Sequence, residues 1–299
     1  MAVLCLGEAL VDLICERPAS SFSQADAFVP HPGGATANVA VSAAQRGAQV
    51  ELAGGAGRDE WGRWLKERLR REGVGTTWFE LRERTTTPVA FVVVSAEGEP
   101  DYLIYGDSIS TAVSALGSQA AARAAASCDA LFFGSNTLVA ADARAVTLAA
   151  REAALEAGRP VVVDPNLRLH RWPSTAEAVA VTSACVPGAL LVKGNRDEAE
   201  LLTGEPDPVR AADALVAAGA CMACVTLGAA GAVLRGEARA RADGLPARVI
   251  STVGAGDAFA GVLLAALAGD GFAPAAAARA LPEAVAVAAR VTERWGALA

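Results

Sequence analysis

The segment Gly254-Ala255-Gly256-Asp257 combines two glycines and one carboxylate between apolar stretches. The apolar run 247–250 before it and the longer apolar segment after it predict a strand, a tight turn and a helix. Free backbone amides at the start of that helix would attract an anion such as a phosphate group. Asp257 would repel a phosphate but could accept the proton of a hydroxyl. The alternative is an ordinary turn in which Asp257 caps the helix.

Further polar clusters stand where a predicted strand ends or a helix begins. Gly33 and Gly34 precede a predicted helix, and Asn38 lies in its first turn, where its side chain could meet a ligand hydroxyl. The segment from Asp164 to Arg168 directly follows a buried strand. Three polar side chains at that place are more typical of a binding site than of a solvated loop, although each also suits a local turn.

Two more clusters suit a nucleotide and its metal ion. Asn195 and Glu198 are three residues apart, so on a helical turn they share one face and could bind Mg²⁺ through water. The same spacing also fits a helix cap with a reciprocal glutamate. Thr226, Gly228 and Gly231 end another predicted strand, where a nucleotide phosphate could approach the backbone.

Composition and missing motifs argue against several classes of protein. The 299-residue chain is 53% hydrophobic with a net charge of −7 and has no basic block, which argues against a nucleic-acid surface. No apolar run approaches the ~20 residues of a membrane helix, and the start lacks a basic leader, so we expect a cytoplasmic protein. The turn after the first strand, 7–10, lacks the dinucleotide-binding glycine motif, and no Walker phosphate loop occurs.

Short apolar strands alternate with helical stretches along most of the chain. Strands are predicted at 3–6, 50–53, 131–133, 161–163, 190–192 and 224–227, and helices at 36–46, 59–72, 139–157, 174–184 and 208–218. Continuous apolar strands separated by helices indicate a parallel sheet covered on both faces. Ligands of such sheets bind at the carboxyl ends of the strands, where most of the polar clusters lie.

Two segments break this alternation, at about 10–31 and 85–107. They hold extended pieces without helices of their own, including two strands joined by a turn at 97–100. We expect them to form a small sheet that stands off the main domain as a lid over the site. The alternative is a set of extra strands at the edge of the main sheet.

Taken in order, these clusters resemble the motifs of the PfkB, or ribokinase-like, carbohydrate kinase family. Six motifs match over nearly the whole chain: Gly33-Gly34 with Asn38, the stretch 54–62, Asp164-x-Asn166-x-Arg168, Asn195-x-x-Glu198, Thr226-x-Gly228 and Gly254-Ala255-Gly256-Asp257. The resemblance implies a single domain over 1–299 with a three-layer α/β/α fold, a mostly parallel sheet and a β lid that often forms a dimer contact. It also implies ATP-dependent phosphorylation of a hydroxyl on a sugar or nucleoside.

The resemblance implies roles for individual residues as well. Asp257 would deprotonate the acceptor hydroxyl, and the amides of residues 254–256 would form an anion hole for the transferred phosphoryl group. The substrate would be bound by Asp12, Gly33, Gly34, Asn38, Tyr105 and Arg168. The nucleotide would be bound by Asn195, Thr226, Gly228 and Gly231, and Mg²⁺ would be held by Glu198 through water.

Within the family, the segments 7–12, 28–30, 33–41 and 164–168 look most like fructokinases, so fructose is the expected substrate. The alternatives are 2-keto-3-deoxygluconate kinase, ribokinase and nucleoside kinase. Kinases of the sugar acid tend to carry arginine in the lid beside Tyr105, whereas this chain has Asp107, which favours a neutral sugar. A non-catalytic sensor on the same fold is the alternative from another class.

One departure from the family pattern bears on a monovalent cation. Ser251 stands where the family usually has Asp, whose carboxylate contributes to the binding of that cation. A hydroxyl removes one negative charge from the site, so we expect potassium activation to be weak or absent.

Overall fold

The computed structural model describes residues 1–106 and 109–298. Within them the strands are β1 (Ala2–Leu6), β2 (Leu10–Pro18), β3 (Val29–Gly33), β4 (Gln49–Gly57), β5 (Phe79–Arg82), β6 (Val89–Val94), β7 (Pro100–Tyr105), β8 (Ala130–Gly134), β9 (Val161–Asp164), β10 (Leu191–Asn195), β11 (Met222–Thr226), β12 (Ala232–Gly236) and β13 (Ala240–Ala242). The helices are α1 (Ala35–Ala44), α2 (Glu60–Arg71), α3 (Thr111–Ser114), α4 (Ser118–Ser127), α5 (Ala141–Glu156), α6 (Thr175–Ser183), α7 (Arg196–Thr203), α8 (Pro208–Ala217), α9 (Ala255–Gly269) and α10 (Pro274–Val291).

A large sheet runs through the centre of the molecule in the order β13-β12-β11-β10-β9-β8-β1-β4-β5. The strands from β11 to β5 are parallel to their neighbours, and β12 and β13 close one edge as an antiparallel pair. The six strands predicted to alternate with helices all belong to this sheet. Because its strands are parallel, their carboxyl ends lie along one edge, and the polar segments that follow them meet there.

Helices cover both faces of the large sheet, and this explains why its strands are apolar throughout. Side chains that alternate along β1 enter two separate cores, with Val3 and Cys5 in one and Leu4 and Leu6 in the other. Helices α1, α9 and α10 pack in the first core, and α4, α5 and α8 in the second. The predicted three-layer α/β/α architecture is therefore confirmed.

A second sheet of four strands, in the order β3-β2-β6-β7, is separate from the large one. Its strands lie in the two segments that were expected to form a lid, although β3 extends two residues beyond 31, to Gly33. The alternative of extra strands at the edge of the main sheet is wrong. Asp107, whose negative charge favours a neutral sugar, lies outside the described residues.

The strand predicted at 247–250 is wrong. Residues 243–250 run without regular structure, because β13 ends at Ala242 and this segment pairs with no strand. The amides of Ile250 and Ser251 instead donate to the carbonyl of Thr292, just after α10, at 2.7 and 3.1 Å. In the described part of the chain, no helix is both long enough and apolar enough to cross a membrane.

Candidate active site

The glycine turn leads directly into helix α9, as the sequence predicts. Gly254 adopts a left-handed conformation with φ of 76°, and a Cβ there would lie 2.1 Å from that of Ala297, so only glycine fits. The amide of Ala255 makes a long hydrogen bond of 3.3 Å to the carbonyl of Thr252. Because α9 begins at Ala255, the amides of its first turn have no partners within the helix. The turn therefore offers hydrogen-bond donors at the positive end of a helix dipole.

Asp257 lies in the first turn of α9 and does not cap it, so the reading as a simple helix cap is wrong. Its carboxylate accepts a hydrogen bond of 2.8 Å from the side-chain amide of Asn38, on α1. Burial raises the pKa of Asp257 to about 6, and the hydrogen bond from Asn38 opposes that rise by favouring the charged form. The side-chain oxygen of Asn38 is buried without a partner. It therefore remains available to accept a hydrogen bond from a ligand hydroxyl.

Asp12 reaches the same site from the second sheet. Its side chain is buried, and its Oδ2 lies 2.2 Å from the position of a Cβ on Gly33, so any other residue at 33 would displace it. No hydrogen bond to the Asp12 carboxylate occurs within residues 1–106 and 109–298. Burial, and next the negative charge of Asp257, raise the pKa of Asp12 to about 7. A buried carboxylate of this kind is suited to binding ligand hydroxyls.

The structure places Tyr105 apart from these groups. Strand pairing puts Asp12 opposite Ala90, whereas Tyr105 is opposite Val89, so Tyr105 lies on the other face of the second sheet. Its ring is more than half exposed and contacts the ring of Phe91 edge-on at 5.6 Å. Another tyrosine, Tyr102, lies on the Asp12 face and within the electric field of Asp12, Arg168 and Asp257. Tyr105, which was predicted to bind the substrate, thus lies on the face of the sheet turned away from Asp12.

Glu8 forms the centre of a network that the sequence analysis missed. Its buried carboxylate accepts hydrogen bonds from the amide of Ala35 at 3.1 Å, the hydroxyl of Thr36 at 3.2 Å and the side chain of Asn136 at 2.9 Å. Arg171 donates to the oxygen of Asn136 at 2.7 Å. These bonds fix the first turn of α1, the helix that carries Asn38. Its signal in the sequence was a glutamate two residues after the first strand, and its partners are more than 25 residues away.

A buried ion pair joins the last residue of β9 to the middle of β10. Lys193 Nζ is 2.9 Å from Asp164 Oδ2, and both side chains are at most 7% exposed. The other oxygen, Asp164 Oδ1, is buried without a hydrogen-bond partner. Burial alone lowers the pKa of Lys193, but the negative charges of Asp164, Glu198 and Asp257 outweigh it and hold the pKa above its ordinary value. Lys193 is therefore a charged ammonium, and none of the predicted site residues includes it.

Asn195 and Glu198 form the reciprocal cap that was the alternative to metal binding. The Asn195 side chain accepts from the amide of Glu198, and Glu198 Oε2 accepts from the amide of Asn195, each at 2.8 Å. Glu198 Oε1 accepts from the amide of Leu167 at 2.7 Å. Burial, and then the charge of Asp164, raise the pKa of Glu198. Each carboxylate oxygen keeps one lone pair, so the cap leaves water-mediated binding of a cation open.

The donor set fits a Mg²⁺ ion only in part. No group of three or more acidic, histidine or cysteine side chains is arranged to hold a metal within the described ranges. Mg²⁺ commonly binds through one or two carboxylates, substrate phosphates and waters, and the unpartnered Asp164 Oδ1 beside Glu198 matches that pattern.

The residues expected to bind the nucleotide lie at the end of β11. The hydroxyl of Thr226 donates to the carbonyl of Gly194 at 3.4 Å. Gly228 has a positive φ, and no atom lies within 4 Å of the position of a Cβ, so the space beside it is open. A Cβ on Gly231 would lie 2.0 Å from the carbonyl of Ala242, which gives this glycine a packing role.

These elements meet around one cleft at the carboxyl ends of the central strands. Among the residues that line it are Glu8, Thr36, Asn136, Asp164, Asn166 and Asp257. Arg168 follows β9, is exposed and lies within the electric field of Asp257, whose pKa it lowers. The cleft and the residues around it thus combine a base with a raised pKa, the amides at a helix start and cationic groups. That set can take a proton from a hydroxyl while neutralising the charge of a transferred phosphoryl group.

Two solved structures with the same fold are kinases of small molecules. A fructokinase from Xylella fastidiosa with bound ATP has a TM-score of 0.83 and 26% identity, and covers 99% of this chain and 93% of its own. An aminoimidazole riboside kinase from Salmonella enterica, in complex with aminoimidazole riboside and an ATP analogue, has a TM-score of 0.82 and 28% identity, over 99% and 95% of the two chains. Fold and site together define a ribokinase-like small-molecule kinase.

The sequence places the chain more narrowly. A family model described as pfkB family carbohydrate kinase matches residues 2–299, and the chain belongs to this family. Fructokinase-1 from Oryza sativa subsp. japonica is 36% identical over 279 residues, which cover 90% of this chain and 83% of that protein. A probable fructokinase-7 from Arabidopsis thaliana is 32% identical over 272 residues, which cover 90% and 79%. The protein is therefore an enzyme, a carbohydrate kinase.

Proposed function

We propose that this enzyme transfers the γ-phosphoryl group of ATP to a hydroxyl of a neutral ketohexose, most simply fructose. The observation that carries the proposal is the hydrogen bond of 2.8 Å between Asn38 and Asp257, at the start of a helix with free amides. It aligns a carboxylate of raised pKa beside the place where an anion would bind.

Each part of the cleft has one task in this reaction. Asp12 and the free oxygen of Asn38 accept hydrogen bonds from sugar hydroxyls, and Asp257 takes the proton of the attacking hydroxyl. The freed oxygen forms a bond to the γ-phosphorus while the bond from that phosphorus to the β–γ bridging oxygen breaks, and ADP leaves with the electron pair. The amides of residues 254–256 donate to the oxygens of the phosphoryl group during transfer.

The nucleotide and its metal have candidate partners on neighbouring strands. Gly228 offers open space for a phosphate, and Thr226 and Asn195 flank it. Asp164 Oδ1 and, through water, Glu198 would hold Mg²⁺, which neutralises phosphate charge when bound. Ser251 stands where the family usually has the Asp of a cation site, so the proposal assigns no role to a monovalent cation.

The choice of fructose over other sugars rests on related proteins and not on a single contact in the structure. The curated relatives named above are fructokinases, and a Vibrio cholerae O395 fructokinase double mutant with a TM-score of 0.83 and 29% identity over 99% of this chain was solved with fructose, ADP and potassium bound. The lid sequence has no arginine next to Tyr105 that could pair with the carboxylate of a sugar acid. Fructose should therefore exceed 2-keto-3-deoxygluconate in kcat/KM by about tenfold or more, measured by coupled ADP release. Equal values for the two sugars, or a preference for the acid, would contradict the proposal.

The test of the base is Asp257→Asn, which keeps the size of the side chain and removes its ability to accept a proton. We expect kcat with ATP and fructose to fall by ~10²–10⁴-fold while ATP still binds in a thermal-shift assay. The matched control is Asp207→Asn, because Asp207 caps helix α8 by accepting from the amide of Arg210, away from the cleft. If the Asp257 variant keeps wild-type turnover, the assignment of Asp257 as the base fails.

A further inference from the structure

Lys193 is a buried cation next to the glycine turn, and neither the sequence motifs nor the mechanism above uses it. Its side chain is 7% exposed, and its Nζ lies 3.3 Å from the position that a Cβ on Gly256 would occupy. Gly256 itself is exposed. The glycine at 256 thus keeps a side chain out of the space beside the ammonium.

The hydrogen bonding of the ammonium is incomplete. A lysine ammonium has three hydrogens to donate, and within the described residues Lys193 uses one, in its bond of 2.9 Å to Asp164. Buried donors without partners are unfavourable, so the remaining hydrogens require an acceptor that is supplied from outside the chain. An oxygen of a bound phosphate would satisfy them.

The position of the charge is unfavourable in the absence of an anion. Lys193 lies under the start of α9, where the helix dipole is positive and repels a cation. Asp164 offsets this repulsion, but a buried ion pair generally adds little stability compared with apolar residues of the same size. Stability alone therefore does not explain why a lysine is buried here. A bound anion explains it, because the ammonium lies beside Gly256, next to the amides that would face the same anion.

We propose that Lys193 is a further catalytic residue, whose ammonium donates hydrogen bonds to the oxygens of the phosphoryl group during its transfer. The inference rests on the proposed kinase reaction and deepens it. Lys193 forms no covalent bond and transfers no proton. It adds one fixed positive charge to the amides of residues 254–256, and Asp164 holds that charge in place.

The test measures binding of ADP with aluminium fluoride, a mimic of the phosphoryl group in transfer, in the presence of Mg²⁺. In Lys193→Met, which keeps the length of the side chain without its charge, we expect this complex to bind about tenfold or more weakly than in the wild type. ADP alone should bind within about threefold of the wild type, because it lacks the transferred group. With ATP and fructose, kcat should fall by about 10²-fold with a smaller change in the KM of fructose.

The matched control is Arg235→Met. Arg235 lies on β12 of the large sheet and is also a cation paired with an aspartate, at 2.8 Å from Asp213 on α8. It lines no part of the cleft. This variant should bind ADP with aluminium fluoride as the wild type does. If Lys193→Met is folded and also binds it as the wild type does, Lys193 only pairs with Asp164 and the proposal is overturned.

A second variant covers the case in which Lys193→Met does not fold because Asp164 is left as an unpaired buried charge. The double variant Lys193→Met with Asp164→Asn removes both charges, and it is compared with Asp164→Asn alone. The proposal expects the double variant to bind the aluminium fluoride complex more weakly than the single one, and equal binding overturns it.

The binding is measured with and without fructose. If fructose is not the substrate, adding it does not strengthen binding, yet the loss in Lys193→Met persists. That pattern separates a failure of the proposed substrate from a failure of the role of Lys193.

Discussion

At the scale of single residues, the protonation state of Asp257 should determine how activity depends on pH. Its pKa of about 6 means that kcat/KM falls as the pH drops below that value, because the protonated carboxyl cannot accept a proton. In Asn38→Ala the carboxylate loses the hydrogen bond that lowers its pKa, so the acidic limb of the profile should move to higher pH. Measured profiles of kcat/KM for fructose against pH give the position of the limb in both proteins.

The control for this measurement is Ser42→Ala. Ser42 lies on the same helix as Asn38 and donates to the carbonyl of Ala258 on α9 at 3.0 Å, so it joins the same two helices without touching Asp257. The acidic limb of the pH profile of Ser42→Ala should lie at the same pH as that of the wild type. A limb that does not move in Asn38→Ala would show that another group controls the profile.

Asp12 should show a conflict between stability and binding. Its folded-state pKa of about 7 is above the ordinary value of 3.8, so ionisation of Asp12 lowers the stability of the fold. This contribution has its full size above pH 7 and disappears as the pH falls towards 4. Asp12→Asn removes a buried charge without hydrogen bonds, and we expect its melting temperature to exceed that of the wild type at pH 8, with a smaller difference at pH 5.

The same substitution should raise the KM for fructose, because an amide is a weaker acceptor of sugar hydroxyls than a carboxylate. Differential scanning fluorimetry at the two pH values and steady-state kinetics test both parts. A variant that is less stable than the wild type at pH 8 would mean that Asp12 has charge partners in the folded protein.

At the scale of elements, the turn before α9 is held by contacts within the chain. Ser251 is fully buried, and its hydroxyl accepts from the amide of Val253 at 3.3 Å. The amides of Ile250 and Ser251 are bound by the carbonyl of Thr292, and Gly254 packs against Ala297. These contacts help to hold the turn in its shape.

We therefore predict that potassium activates this enzyme less than tenfold, which corresponds to less than about 1.4 kcal/mol of transition-state stabilisation. Turnover is measured while KCl is titrated against tetramethylammonium chloride at constant ionic strength. Ser251→Asp adds the carboxylate that the family usually carries and should make turnover depend on potassium, whereas the uncharged Ser251→Asn should not. A wild-type response of tenfold or more would refute the prediction.

The elements also show what the sequence could and could not predict. Apolar runs located all six predicted strands of the large sheet, because a buried parallel strand is apolar on both sides. The run 247–250 failed because an apolar run becomes a strand only when an edge is free to pair with it, and here the amides of Ile250 and Ser251 bind the end of α10 instead. Spacing identified Asn195 and Glu198 but could not distinguish a cap from a metal site, since both use the same geometry.

At the scale of the molecule, the site is built where two sheets meet. Asp12 comes from the second sheet and Asp257 from a helix on the large one, and the amide and hydroxyl of Thr252 both donate to the carbonyl of Gly98, in the turn between β6 and β7, at 2.8 and 3.2 Å. The motifs that lie within one turn or one loop were readable from sequence. Glu8, Lys193 and Tyr102 were not, because their roles arise from partners that only the tertiary fold brings close.

The second sheet presents an apolar face to solvent. Phe91 and Tyr105 lie on the face opposite Asp12, and Phe28 packs edge-on against Phe91 at 5.0 Å. Leu103, on the same face and on the edge strand β7, is 42% exposed. Contiguous apolar patches rimmed by polar residues are typical of protein interfaces, and an edge strand adds unpaired backbone groups. We propose that two copies of the chain form a homodimer through this face.

Leu103→Asp tests that proposal. A charge on the apolar face would be buried without a partner in the dimer, so the variant should be monomeric at concentrations where the wild type is dimeric, as measured by size-exclusion chromatography with light scattering. The control is Leu148→Asp on α5, a leucine that is 38% exposed on the main domain and should leave the mass unchanged.

Because Asp12 lies on the opposite face of the same sheet, loss of the dimer should also raise the KM for fructose more than it lowers kcat. A Leu103→Asp variant that remains a dimer would place the contact elsewhere. A wild-type protein that is monomeric at all concentrations would refute the dimer.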